Sequence, residues 1–237
     1  MKIYKQMMFL AFSFIILSCS ETSQEDLIKK AEAPLLDGMG IHTHKVTTNK
    51  ASQKYFNQGL ILSFAFNHAE SIRSFKAAQR LDPNCAMCYW GEALSRGPNI
   101  NVTSDGKVVM SPQERKDAFK AIEKAKELMP LVSAKEQDYI LALASRYNGE
   151  IDTDRSDLDV NYALAMQALS QKYPDDMDAA SLFAESLMNT MPWNYWAEDG
   201  DPKPDTIKVI DSLENVLAKN PNHPLAIHLY IHAVEAS

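Results

Sequence analysis

Histidines and carboxylates at helical spacing are the first feature of this chain that suggests chemistry. His228, His232 and Glu235 follow one another at i, i+4 and i+7, so a helix presents all three on one face. Imidazole and carboxylate in that pattern suit a divalent metal such as zinc, copper or iron; the plain alternative is a half-polar helix face. His42 and His44 form a His-x-His pair, which serves either as a copper or zinc site or as a polar loop. His68, beside Asn67, completes the metal candidates, although Asn-His also makes a natural turn and cap. Cys85 and Cys88 open a helical stretch. They are half a zinc site at most, and the absence of a histidine after Cys88 excludes c-type haem attachment. A disulfide or a pair of buried small residues are the remaining readings. No nucleophile elbow, P-loop, dinucleotide fingerprint or zincin motif occurs, so no catalytic residue is assigned.

These residues sit in a chain whose periodicity is helical. Tyr55, Gly59 and Leu62 lie four and three apart, and after a break at Asn67-His68 the spacing returns in Ser71, Phe75 and Ala78, closing at Pro83. Small residues at Gly59 and Ala78 let two helices approach closely, and Pro83 falls where one helix must end. The second half of the pattern recurs in Ala118, Ile122, Ala125 and Pro130, then more loosely before Pro174 and Pro221. Each proline precedes a new apolar-periodic segment, with Gly-, Pro-, Asn- and Asp-rich stretches near Gly97 to Met110, Asn148 to Ser156 and Met191 to Pro204. Period-2 runs are scarce, and only Lys107 to Met110 tempts a strand assignment. The fold class expected is all-α.

The pattern of an aromatic, a glycine, a small-large-small triplet and a proline resembles a tetratricopeptide (TPR) repeat, whose unit is about 34 residues. Further strings, Phe56-Asn-Gln-Gly-Leu60, Phe66-Asn-His-Ala-Glu70, Asp82 to Gly91, Gly97-Pro-Asn-Ile-Asn101 and His223 to Ser237, resemble a group of exported bacterial TPR proteins, mostly of unknown function. The resemblance covers nearly all of residues 41–237. It implies a right-handed superhelix of antiparallel helix pairs with long intra-repeat loops, about 4.5 pairs over residues 51–237. It also implies that the array continues beyond Ser237 in a longer protein. In that register Trp90, Ser181, Glu185, His228 and His232 line the concave groove, the usual ligand surface. The aromatic loop Met191 to Trp196 is expected to pack back onto the array or to stack a sugar or peptide.

The N-terminus carries Lys2 and Lys5 before the uncharged run Met7 to Leu17. That run is shorter than the roughly 20 residues a bilayer-spanning helix needs and fits a secretory signal. Ile16-Leu17-Ser18-Cys19 resembles the lipobox of bacterial lipoproteins, which implies residues 1–18 as signal peptide and an acylated Cys19. Residues 19–50 then form a tether and lead-in to the array, and the protein is exported and membrane-anchored, with an outer-membrane location implied by Ser20. The composition is 46% hydrophobic, too apolar for a disordered chain. The formal charge of −7 disfavours nucleic acid as a partner. The expected function is a lipid-anchored scaffold that binds a protein, peptide or small molecule in its groove. The alternative is a metal-binding protein or metal-dependent enzyme built on the histidines.

Overall fold

The computed structural model describes residues 23–102, 110–150 and 154–237. The segment expected to be a signal peptide, residues 1–18, and Cys19 lie outside the described residues. Among the described residues there are ten α-helices and no strand: α1 (Gln24–Ala31), α2 (Lys50–Phe64), α3 (His68–Leu81), α4 (Ala86–Arg96), α5 (Pro112–Leu128), α6 (Ala134–Ala144), α7 (Ser156–Lys172), α8 (Met177–Thr190), α9 (Pro204–Lys219) and α10 (Pro224–Val234). A 3-10 turn, Met129–Leu131, follows α5. Only isolated bridges, Asn99 with Val102 and Trp196 with Pro202, break the helical pattern.

The helices start where local chemistry supplies partners for their free N–H groups. Ser111 with Glu114 and Ser133 with Glu136 form reciprocal capping boxes at α5 and α6. Asn49 and Asp176 cap α2 and α8 through their side-chain oxygens. Proline opens α5, α9 and α10, where its missing N–H costs nothing.

From α2 onward each helix packs against the next in sequence, and four pairs of even-numbered helices also touch: α2 with α4, α4 with α6, α8 with α10, and α10 with α2. The last helix thus returns to α2. Phe75 shows how tight the packing is. It sits at zero exposure between Gly59 and Gly91. A Cβ at Gly91 would come within 2.2 Å of its ring, and one at Gly59 within 3.0 Å, so both glycines set how closely α2 and α4 approach α3.

The segment expected to be a tether is folded against this body. Ser23 caps α1, which packs on α3. Arg80 donates twice to the Ala31 carbonyl, and the Tyr55 hydroxyl donates to Ala33 O at 2.7 Å. Residues beyond Ala33 then cross to the N-terminal ends of α6, α8 and α10. Thr47 donates its N–H and its hydroxyl to the two Glu136 oxygens, both at 2.6 Å. Backbone and side-chain bonds fix the strap, which polarity alone does not announce.

Candidate metal centre

The strap delivers His42 and His44 to a carboxylate at the start of α8. Asp178 lies in the first turn of that helix and is buried. His42 Nε2 stands 3.0 Å from Asp178 Oδ1, His223 Nε2 stands 3.1 Å from the same oxygen, and His44 Nδ1 stands 2.6 Å from Oδ2. His223 is the N-cap of α10 and has no exposure. Two groups bring their ligand atoms within 4.8 Å of one another: His42, Asp178 and His223, and His44, Asp176 and Asp178.

Two kinds of contact are mixed here. The His44 contact is a short, charge-assisted hydrogen bond. Burial lowers the His44 pKa, but the Asp178 hydrogen bond and charge outweigh burial and hold it above its ordinary 6.5. Burial likewise pushes Asp178 up, and the three imidazoles outweigh it, keeping the carboxyl well below its usual range. His42 differs. Its Nε2 is buried and stands 3.0 Å from Oδ1, the oxygen that His223 also meets. Two ligand atoms each about 2.1 Å from one ion stand roughly 3 to 3.4 Å apart, which is the distance of His42 and of His223 from Asp178 Oδ1; all three ligand atoms lie within 4.8 Å of one another.

The His223 tautomer bears on this. Ser181 Oγ donates to Met177 O at 2.8 Å and lies 3.4 Å from His223 Nδ1, so its oxygen can accept a proton held on Nδ1. That tautomer turns the Nε2 lone pair toward Asp178. The Ala226 N–H, 3.3 Å from Nδ1, suits the opposite tautomer, in which Nε2–H donates to Asp178. One proton position therefore separates a closed His–Asp pair from an open ligand set.

The cluster forms one wall of a cleft of about 720 Å³, lined also by Met39, Ile61, Lys135 and Asn222. Lys135 pairs with Asp176. Behind His44, Tyr139 meets its ring edge-on at 5.4 Å, and Trp90 meets Tyr139 in turn at 5.6 Å. His42 packs on Phe64 at 5.5 Å and on His223 at 5.0 Å. Apolar rings on these sides fix the imidazole orientations.

The C-terminal triad is arranged differently from the expectation. His228, His232 and Glu235 do not bring their ligand atoms to one point. His228 Nδ1 donates to Phe64 O at 2.7 Å, while His232 Nδ1 pairs with Glu235 Oε1 at 3.1 Å on the surface. The imidazoles act as rings in a ladder instead: His68 on Phe66, Phe66 on His228, His228 on His232, and His232 on Trp193. His68 spends Nε2 on Asn99 at 3.2 Å, and burial lowers its pKa. Trp90, Ser181 and Glu185, expected along an open groove, are buried: Trp90 packs on Tyr139 behind His44, Ser181 stands beside His223, and Glu185 faces the buried Arg146 charge. Cys85 and Cys88 form a disulfide at the start of α4, one of the two readings of that pair.

Asp178 and His223 were assigned no role from sequence. The usable signal was position. Asp176 and His223 are the N-caps that follow Pro174 and Pro221, and histidine is not a preferred cap, so its place there asks for another explanation. Comparison with protein-family models, curated proteins and solved structures found no match.

Proposed function

We propose that this chain binds a divalent metal ion, with zinc, copper and iron as the candidates, between the strap and the starts of α8 and α10. His42, Asp178 and His223 hold the ion. His44 orients the carboxylate through its second oxygen, as outer partners of metal ligands do. The observation that carries this reading is that two imidazole nitrogens, His42 Nε2 and His223 Nε2, meet one buried carboxylate oxygen, Asp178 Oδ1, at 3.0 and 3.1 Å. The ion would face the cleft, which has room for a small molecule or a peptide end. The array is read as a TPR-like superhelix anchored outside the cytoplasm through Cys19, and the disulfide supports that location, since oxidising compartments preserve such bonds.

The test is metal content and calorimetry on apo protein titrated with zinc, copper(II) and iron(II). One ion per chain is expected, with binding weakened at least about tenfold in His42→Ala and kept in His232→Ala. If the wild-type protein takes up none of the three metals, the proposal fails. The second reading is a scaffold that binds a peptide, protein or small molecule without metal. It rests on the same cleft, and ligand binding that survives a chelator would favour it.

A further inference from the structure

A second polar cluster lies inside the helical body, apart from the metal-centre residues. Arg146, just after α6, has no exposure and is the largest of the fully buried side chains. Its Nε donates to Asp159 Oδ1 at 3.2 Å, and its guanidinium lies 4.7 Å from the centre of the Tyr162 ring. Both terminal nitrogens, Nη1 and Nη2, are buried and meet no hydrogen-bond acceptor of the protein. The Tyr162 hydroxyl and both amide atoms of Asn189 are equally unpartnered. Glu185, one turn before Asn189 on α8, is buried and feels the Arg146 charge, while burial pushes its carboxyl up to about 7.

An unmatched buried donor is costly, and a charged one more so. Native proteins cover such groups with ligand or ordered water. Nη1 and Nη2 form the end of the guanidinium fork, the edge that grips two carboxylate oxygens in parallel. The fork presents only N–H donors and carries a full positive charge. An ammonium ligand fits neither fact.

We propose that this interior cluster binds a small carboxylate anion, held end-on by Arg146 and completed by hydrogen bonds from Tyr162 and Asn189. The site is independent of the metal centre. The probes are acetate and formate, titrated calorimetrically into the full chain, with chloride as the control anion. Saturable binding of either carboxylate, but not of chloride, is expected. Arg146→Lys keeps the charge and loses the fork, so it should weaken binding by roughly tenfold or more. If that variant does not fold, Asn189→Leu, close in volume and without the amide, should weaken it as well. His42→Ala should bind as the wild type does. A crystal soaked in acetate should show the anion on Nη1 and Nη2. Ordered water alone at that place, no saturable carboxylate binding by the wild type, undiminished binding by folded Arg146→Lys, or loss of binding in His42→Ala would each overturn the proposal.

Discussion

Glu185 carries its carboxyl where ionisation is costly. Burial raises it from an ordinary 4.5 to about 7, against a smaller opposing pull from Arg146. The folded protein therefore holds this proton at pH values where the unfolded chain has released it. Stability from this group is full below the unfolded value, falls as pH rises toward about 7, and is level above that. The span corresponds to on the order of 3 kcal/mol. Urea unfolding of wild type at about pH 5 and about pH 8 should differ by a sizeable part of that amount, and Glu185→Gln should flatten the difference; an equal slope in the variant would place the pH dependence elsewhere. At this scale the sequence was only partly legible. His42 and His44 declare themselves by spacing. Asp178 is one of 31 acidic residues and lies 134 positions from His44, so no local pattern could single it out. Glu185 was legible as a polar residue on a helix face, but its burial depends on what the rest of the chain lays over it.

Helices α2 to α10 were visible as apolar periods bounded by caps and prolines, because those signals are local. The strap was not, because what fixes it is a set of long-range bonds to helix starts. Glu136 is the clearest case. It closes the capping box of α6 with Ser133 and also takes both Thr47 bonds. Burial raises its pKa, and the Thr47 and Ser133 hydrogen bonds outweigh burial and lower it. Hydrogen bonds to a charged acceptor contribute about 1.5–3 kcal/mol each, so one side chain ties the strap to α6. Replacing it should loosen the strap before it unfolds the body. Glu136→Ala should speed amide exchange at residues 42–48, measured by hydrogen exchange and mass spectrometry, while α2 and α3 keep their protection. Zinc affinity should fall with it, since one proposed ligand, His42, and the residue that orients Asp178, His44, ride on the strap. Unchanged exchange there would mean that Gln53, which donates to His44 O and accepts from Val46 N–H, together with Asn57 and Asp82, which accept from His44 N–H and the Thr48 hydroxyl, holds the segment without Glu136.

The chain as a whole closes on itself through α10, and His228 is the hinge of that closure. Its Nδ1–H donates to the carbonyl of Phe64, the last residue of α2, and its ring meets Phe66 edge-on at 4.3 Å. Phe66 holds a positive φ of 57°, a left-handed conformation that costs a non-glycine residue roughly 1–2 kcal/mol. That conformation aims the Phe66 ring between His68 and His228. The contact between the last and the second helix therefore offsets local strain at the α2–α3 turn. No helical period could reveal this, because the partners are 164 residues apart. The closure also separates two roles for the same histidine. If His228 is a structural donor, His228→Ala should lower the unfolding free energy by about 1–3 kcal/mol, from an orphaned helix-end carbonyl and a lost ring contact. It should leave zinc binding at the wild-type value. If His228 were a metal ligand instead, the stability of the metal-free protein would barely change and the zinc affinity would fall. Denaturant unfolding with and without zinc on this one variant reads both quantities together. The geometry at Phe64 favours the first outcome, because Nδ1 is committed to a backbone carbonyl at 2.7 Å and the ring is held in the aromatic ladder between Phe66 and His232.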